Sequence, residues 1–357
     1  MTTISIFMFA FFATYLLLRV MIRLAPALKL MDYPGGRKDH LGTTPVVGGL
    51  SIGLVFILAL IYFQTTGWWV DVLAVLMLLT LGVFDDIHDL SPRPKLLVQA
   101  TAVLLMFYVG GLKLLTVGNL IGVGSIGTWF FAPVITVVAV IGVINAINMA
   151  DGIDGHAGFI SLIAFLAYAY VARESALWEQ YKLLLALTGS VAAFLTLNAR
   201  SPLLKQAKTF FGDAGSMVMG FIIAWFAVDL SQGDGRTLSP ICALWVVVLP
   251  LCDCVSLMIR RRLSGGSMFA ADRHHLHHYL LMRGASVGQA TMVSAAGNLV
   301  CAAIGIIGWK LRVPEPIMFA GFVALFIFYH IHMTRAFRTA QYPVVTGERA
   351  QVQMPLN

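Results

Sequence analysis

Aspartates cluster in three short polar segments of this chain, although acidic residues are scarce in it. The segments are "FDDIHDLSPRPK" (84–95), "NMADGIDG" (148–155) and "FFGDAGS" (210–216), and the chain has only 17 Asp and Glu residues among 357. Carboxylate oxygens are the ligands that Mg²⁺ and Mn²⁺ prefer, and Mg²⁺ usually combines one or two carboxylates with substrate phosphates. The pattern predicts metal-assisted chemistry on a phosphate substrate, with these candidates: Asp85, Asp86, Asp89, Asp151, Asp154 and Asp213.

A fourth polar segment, "IRRRLSGGSMFAADRHHLHH" (259–278), supplies arginines and imidazoles. Zinc or nickel could use the imidazoles, but the neighbouring arginines suit an anion better than a bare dication. Basic groups together with carboxylate-held Mg²⁺ fit a pyrophosphate substrate, because both neutralise charge during phosphoryl transfer. The residues concerned are Arg260, Arg261, Arg262, Arg273, His274, His275, His277 and His278.

Structural roles compete with each of these interpretations. Asp154 and Asp213 each precede an apolar segment, and an aspartate at a helix N-terminus often only caps the helix. The three arginines at 260–262 alone could serve as a topology signal. Six aspartates gathered in so acid-poor a chain nevertheless favour a shared site. Asp253 lies inside an apolar segment, which indicates either a function or pairing with a neighbouring helix, and both readings stay open.

The composition is that of a membrane protein. Hydrophobic residues make up 59% and charged residues 11%, whereas a soluble globular chain carries about 25% charged residues. We predict an all-α, polytopic integral membrane protein with a single catalytic domain over residues 1–340 and a short, mobile cytoplasmic tail at 341–357. A bilayer core needs roughly 20 apolar residues in a helix, and about 11 transmembrane helices are expected at 3–22, 46–64, 69–84, 96–111, 129–147, 157–173, 183–198, 216–230, 239–259, 290–309 and 315–333.

Lys and Arg divide unequally between the two sides of the predicted membrane. If the loops after odd-numbered segments and the C-terminal tail share one side, that side holds all but six of the 24 basic residues. The positive-inside rule then places these loops and the C-terminus in the cytoplasm and the N-terminus outside. All four polar segments fall on the cytoplasmic side, and the net charge of +7 indicates contact with anionic lipids rather than nucleic acid. The six residues on the other side are Lys113, Arg173, Lys182, Arg236, Lys310 and Arg312.

Five motifs, considered together, resemble a known family along nearly the whole chain. They are "PVVGG", "DDIHDLS", "NAINMADGIDG", "FFGDAGS" and "DRHHLHH", and the family is that of the polyprenyl-phosphate N-acetylhexosamine-1-phosphate transferases. The resemblance is closest to the branch that uses UDP-GlcNAc and undecaprenyl phosphate. The branch that transfers phospho-MurNAc-pentapeptide usually has three consecutive histidines, whereas Leu276 interrupts the histidines here.

This resemblance implies a reaction and its location. GlcNAc-1-phosphate would pass from UDP-GlcNAc to undecaprenyl phosphate at the cytoplasmic face of the bacterial inner (plasma) membrane. The products would be UMP and undecaprenyl-pyrophosphoryl-GlcNAc, the initiating step of a cell-surface polysaccharide such as O-antigen. Mg²⁺ is the implied cofactor, with Mn²⁺ as a substitute. By analogy with the family, a homodimer is also expected. Another UDP-N-acetylhexosamine, or phospho-MurNAc-pentapeptide, stays an alternative.

The resemblance also implies roles for individual residues. Asp213 is similar to the principal Mg²⁺ ligand, and Asp85 and Asp86 to the acidic pair near the metal, one of which deprotonates the lipid phosphate. All three are expected to be catalytic, by direct attack or through an aspartyl-phosphate. Phe210 would stack on uracil, and the histidines, Lys208 and Arg273 would hold phosphates. The implied substrate-binding residues are Asn148, Asp151, Asp154, Lys208, Phe210, Arg273, His274, His275, His277 and His278.

Two other classes of protein fit less well. An intramembrane prenyltransferase would also use "DDIHD" with Mg²⁺, but a second Asp-rich helix would be expected in place of a glycine-bracketed loop. A secondary transporter would place polar groups near the bilayer midplane, often on paired broken helices, and this sequence has no evident inverted repeat.

Overall fold

The computed structural model describes residues 2–33, 42–233, 236–267 and 274–339, in which nearly all regular structure is helical. Two two-residue strands, β1 (Met31–Asp32) and β2 (Thr44–Pro45), pair antiparallel, and a 3₁₀ turn (Trp129–Phe131) precedes the fifth helix. The helices of these ranges are α1 (Thr3–Leu24), α2 (Gly48–Phe63), α3 (Trp68–His88), α4 (Pro92–Tyr108), α5 (Ala132–Ala150), α6 (His156–Glu174), α7 (Trp178–Asn198), α8 (Gly212–Asp229), α9 (Pro240–Trp245), α10 (Val248–Leu263), α11 (Leu276–Met282), α12 (Val287–Lys310) and α13 (Glu315–Thr339).

The helices support a multi-pass membrane protein. Each of the eleven predicted segments falls on one of them, or on a pair in the case of segment nine. Within the described ranges, seven are long and apolar enough to cross a bilayer: α1, α5 with its preceding turn, α6, α7, α8, α12 and α13. The number of spans and the orientation of the termini stay predictions. The tail at 341–357 lies outside the described residues.

The ninth predicted segment is wrong as a single continuous helix. Instead, two helices form, because the helical conformation is interrupted at Val246 and Val247, between α9 and α10. Pro250 explains the break, because a proline has no N–H and its ring clashes with the carbonyl four residues earlier, here that of Val246. Asn298 of α12 donates its side-chain amide to the freed Val246 carbonyl at 3.3 Å. The carbonyl that the helix break leaves without a helical partner therefore still has a hydrogen bond inside the bundle.

Helix α8 forms the centre of the bundle, against α2, α3 and α5. Its packing depends on small residues, because a Cβ on Gly49 would lie 1.9 Å from the Gly215 Cα, and a Cβ on Gly82 would lie 2.1 Å from the Ala214 Cα. The backbones of α2 and α3 therefore touch the first turn of α8. This contact fixes the N-terminus of α8 beside the C-terminus of α3, where the predicted acidic residues lie.

The segment before α2 holds the segment before α8. The Phe210 N–H donates to the Pro45 carbonyl at 2.8 Å, and the Gly48 and Gly49 N–H groups donate to the Phe210 and Phe211 carbonyls at 3.0 and 2.9 Å. The N-terminus of α2 thus positions the backbone of "FFGDAGS" just ahead of α8.

Candidate active site

Asp86 caps helix α8 from another helix. Its two carboxylate oxygens accept the Asp213 N–H at 2.8 Å and the Ala214 N–H at 3.3 Å, which are otherwise unpaired donors of a first helical turn. Gly212 makes this approach possible, because its φ is +78° and a Cβ there would lie 2.8 Å from Asp86 Oδ2. The geometry thus gives Asp86 a firm structural contact at the site.

Asp85 and Asp213 form the acidic centre. Their carboxyl groups lie within hydrogen-bonding reach of each other. Lys95 of α4 forms an ion pair with Asp85 at 2.5 Å, and Asn148 of α5 donates its amide to Asp213 Oδ1 at 2.5 Å and to the Ser216 hydroxyl at 2.8 Å. Four helices therefore contribute to one small polar centre.

Asp151 adds a further carboxyl at the end of α5. Burial, followed by the neighbouring charges of Asp213, Asp86 and Asp154, raises the pKa of Asp151 well above its usual range. Of the four carboxyls at 85, 86, 151 and 213, only that of Asp85 has an ion pair with a described residue, Lys95. A doubly anionic pyrophosphate substrate would be repelled here unless a cation joined it.

Two carboxyls of the acidic centre face each other closely enough to hold a divalent cation together with a substrate. Within the described ranges, no group of three or more His, Cys, Asp or Glu residues is arranged to hold a metal ion. Mg²⁺ characteristically needs only one or two carboxylates when substrate phosphates complete its shell. The facing carboxyls of Asp85 and Asp213 meet this requirement. Both oxygens of Asp86 accept the backbone N–H groups that begin α8. Those of Asp85 accept the Leu90 N–H at 2.8 Å and the Lys95 ammonium, so a metal ion would share Asp85 with these donors.

The loop "NMADGIDG" is held by two other parts of the chain. Asp154 Oδ2 accepts from Arg200 Nε at 2.6 Å in an ion pair, and its carbonyl accepts from the Thr291 hydroxyl of α12 at 2.8 Å. The Gly155 N–H donates to Asn198 Oδ1 of α7 at 2.7 Å. The loop is therefore a rigid wall of the site.

His277 packs against this loop as an unpaired imidazole. It is fully buried, neither ring nitrogen has a hydrogen-bond partner within the described chain, and a Cβ on Gly152 would lie 2.4 Å from its Nε2. Burial and the adjacent His278, His156 and His275 lower its pKa well below the usual range. His277 is thus neutral, and can donate from one nitrogen and accept at the other.

Asp253, the acid inside an apolar segment, pairs with the histidine motif and with a neighbouring helix. Its Oδ2 lies 2.9 Å from His275 Nδ1, and its Oδ1 accepts from the Tyr329 hydroxyl of α13 at 2.6 Å and the Leu276 N–H at 3.2 Å. The His275 ring in turn lies parallel to His277, with centroids 5.4 Å apart. Asp253 therefore fixes the orientation of His275 beside the unpaired imidazole.

Comparison with known proteins identifies the family. The model of glycosyl transferase family 4 matches residues 68–231, from the start of α3 to just past α8. A Haemophilus influenzae protein is 36% identical over 349 residues, which cover 95% of this chain and 96% of the relative. A Pasteurella multocida protein is 34% identical over 339 residues, covering 93% and 94%. The chain belongs to glycosyl transferase family 4.

Both relatives bear the name undecaprenyl-phosphate alpha-N-acetylglucosaminyl 1-phosphate transferase, as does a Yersinia pestis protein that is 33% identical over 345 residues. The family resemblance predicted from the motifs is thereby confirmed. The histidine motif lies beyond the residues that the family 4 model matches, but the alignments with these relatives cover 93–96% of the chain.

Not every predicted site residue of this family 4 protein joins the acidic centre. His274 lies edge-on to Phe337 of α13, at 4.9 Å between centroids. Lys208 is exposed and lines a separate cavity of about 390 Å³ with Arg19 and Arg23. Phe210 is half-buried and contributes backbone hydrogen bonds. The other predicted residues lie around the centre or the histidine motif, except Arg273, which lies outside the described residues.

Sequence reasoning missed several partners that hold the site of this family 4 protein together. Lys95 ends the quoted segment "FDDIHDLSPRPK" and could have been nominated, since it is a cation ten residues after Asp85. Asn198 likewise ends α7, and Arg200 follows it in a polar segment. Tyr329 had no sequence signal, because its partner Asp253 lies 76 residues away.

Proposed function

We propose that the protein transfers GlcNAc-1-phosphate from UDP-GlcNAc to undecaprenyl phosphate, releasing UMP. The relatives that are named for this transfer align along nearly the whole chain. The observation that carries the proposal is the facing pair Asp85 and Asp213, set between Lys95 and Asn148 at the ends of apolar helices. One substrate can arrive there from water and the other from the bilayer.

Asp213 and Asp85 would hold Mg²⁺, or Mn²⁺ in its place. When bound, the ion would neutralise charge on the diphosphate and polarise its oxygens. Asn148 restrains the Asp213 carboxyl through one oxygen, and Lys95 offsets the charge of Asp85. The chain's own contribution is thus a pair of carboxyls held in fixed positions at a site that is otherwise too negative for the substrates.

The chemical step is a displacement at phosphorus. A lipid phosphate oxygen would form the new bond to the sugar-linked phosphorus, and the bond to the UMP oxygen would break. Removing a proton from the lipid phosphate is modest work, because the second pKa of a phosphate monoester is about 6. The acidic pair would accept that proton, with Asp151 close by at the end of α5. The neutral His277, beside Gly152, is suited to hydrogen-bond the sugar phosphate.

We place the site at the cytoplasmic face of a bacterial inner membrane, with the N-terminus outside. Two observations support this placement. The basic residues concentrate on the side that holds the polar segments, and the ends of α3, α5 and α7 meet the beginnings of α4, α6 and α8 there.

The test is UMP release from UDP-GlcNAc by purified protein in nanodiscs with undecaprenyl phosphate and Mg²⁺, with UDP-GalNAc tested in parallel. Asp213→Asn should reduce turnover by about 10²-fold or more. Asp229→Asn, the same change at the other end of α8, should retain it. Full activity in Asp213→Asn would contradict the assignment of the acidic centre as the active site. Faster turnover of UDP-GalNAc than of UDP-GlcNAc would contradict the assignment of GlcNAc as the transferred sugar.

A further inference from the structure

A second polar cavity lies at the end of the bundle opposite the acidic centre. It has a volume of about 690 Å³ and is lined by the ends of α6 and α12, the segment before α9, and the start of α13. Helix α6 begins beside the site at His156 and reaches this cavity at Glu174, about 28 Å away along a 19-residue helix. The cavity is therefore separate from the proposed active site.

Both acidic groups of this cavity accept hydrogen bonds, and Glu174 alone also has an ion pair with a described residue. Lys310 forms an ion pair with Glu174 at 2.5 Å and donates to the Tyr170 hydroxyl at 2.7 Å, and the Glu315 carboxylate accepts the Asn119 N–H. Arg236 and Arg312 are different, because both line the cavity and their exposed guanidinium groups form no hydrogen bond or ion pair with another described residue. Two guanidinium groups thus face an open volume with their donors unused.

The position of these cations is unusual. Only six Lys and Arg residues fall on the predicted outer side, and Arg236, Lys310 and Arg312 all line this one cavity. Basic residues are disfavoured on that side by the positive-inside rule, so three in one cavity indicate a local purpose. The N-terminus of the 25-residue α13 also opens there, but Glu315 in its first turn offsets the partial positive charge of that helix end, so the positive field comes from the basic side chains.

The rest of the lining suits the membrane interface. Trp309 donates its indole N–H to the Thr237 carbonyl, so that its ring is fixed at the cavity wall. Val313 and Pro316 add apolar surface beside the arginines. A group with an anionic head and an apolar remainder would match both parts of the lining, because arginine binds phosphate oxygens in pairs and tryptophan favours the bilayer interface.

We propose that this cavity binds a phosphate-bearing anion, the head group of an anionic lipid, between Arg236 and Arg312. The same chemistry would accept free inorganic phosphate, so the source of the phosphate must be tested. The site is independent of the sugar-phosphate transfer and would exist even if that activity were assigned wrongly.

The experiment measures lipid retention by native mass spectrometry of the full chain, released from nanodiscs of phosphatidylglycerol or of phosphatidylcholine. We expect wild type to retain phosphatidylglycerol selectively and Arg236→Gln/Arg312→Gln to retain it at least about tenfold less. Lys182→Gln is the matched control, because Lys182 is another exposed cation at the predicted outer end, outside the cavity. The two single variants should each lose part of the retention.

A second arm separates the two phosphate sources. The melting temperature is measured with inorganic phosphate alone in a neutral detergent. A rise in wild type that is absent in the double variant, without selectivity among lipids, would keep the anion site and identify free phosphate as its occupant. Equal retention by the double variant and wild type, together with equal phosphate effects, would overturn the proposal. UMP release by the double variant verifies that it folds.

Discussion

Adjacent carboxylates have different surroundings at the scale of single residues. Asp85 and Asp86 are neighbours in the sequence and form one acidic pair in any motif. In the structure, Asp85 faces Asp213 and Lys95, whereas Asp86 accepts the two backbone N–H groups that begin α8. The difference arises because consecutive residues of a helix point about 100° apart, so the two neighbouring carboxyls meet different partners.

The two carboxyls should therefore differ in their effect on Mg²⁺. Asp85→Asn should raise the Mg²⁺ concentration for half-maximal UMP release by about tenfold or more, because its oxygen faces Asp213. Asp86→Asn should change that concentration little but lower the melting temperature, because the amide keeps one acceptor oxygen and places its NH₂ group against the other backbone N–H, and one lost hydrogen bond costs about 1 kcal/mol. Equal shifts in Mg²⁺ dependence for the two variants would show that both bind the metal.

Asp253 offers a second test at this scale. In Asp253→Asn an amide N–H would face His275 Nδ1, which would move the ring proton to Nε2. We expect kcat to fall by on the order of 10²-fold or more, with little change in KM for UDP-GlcNAc, as for other wrong-tautomer variants. The measurement is steady-state UMP release with melting temperatures.

Tyr329→Phe is the matched control for that variant. It removes a hydrogen bond of 2.6 Å from the same carboxylate and leaves the contact of 2.9 Å with His275. Its melting temperature should fall about as much as that of Asp253→Asn, while kcat should stay within about tenfold of wild type. A kcat loss equal to that of Asp253→Asn would mean that Asp253 only anchors α11 to α13.

At the scale of elements, the site depends on helices that touch through their backbones. Gly49 of α2 and Gly82 of α3 leave no room for a side chain against α8. In a membrane, such close contacts replace the hydrophobic driving force that water would supply. The acidic centre is therefore positioned by close backbone packing directly beside Asp213 and one helical turn from Asp85.

Gly49→Ala should destabilise the protein and its site together. Its Cβ would lie 1.9 Å from the Gly215 Cα, so α2 and α8 must separate, and overpacking of this kind costs about 1–3 kcal/mol. Gly142→Ala in α5 is the control, because nothing lies within 4 Å of its added Cβ and alanine favours a helix by about 0.5–1 kcal/mol. A melting temperature for Gly49→Ala at or above that of Gly142→Ala would contradict the packing argument.

At the scale of the whole molecule, local patterns were predictable and contacts between distant segments were not. Apolar length located the helices, and the spacing of charges gathered the polar segments on one side, because both are properties of short stretches of chain. To predict the helix break before α10, the effect of Pro250 on the Val246 carbonyl would have to be considered. The hydrogen bonds between Asp253 and Tyr329 and between Asp154 and Arg200 join residues 76 and 46 positions apart. Only the folded bundle brings such partners together.

Membrane orientation is the prediction that belongs to this scale. Leu203 and Val123 are 98% and 77% exposed and are separated by α5, α6 and α7, so three crossings would put them on opposite faces. The four native cysteines are buried and should give little background. A membrane-impermeant maleimide should label Val123→Cys in intact spheroplasts and Leu203→Cys only after permeabilisation. The reverse labelling pattern would show that the orientation in the membrane is opposite to the predicted one. Labelling of both cysteine variants from one side would require an even number of membrane crossings between positions 123 and 203.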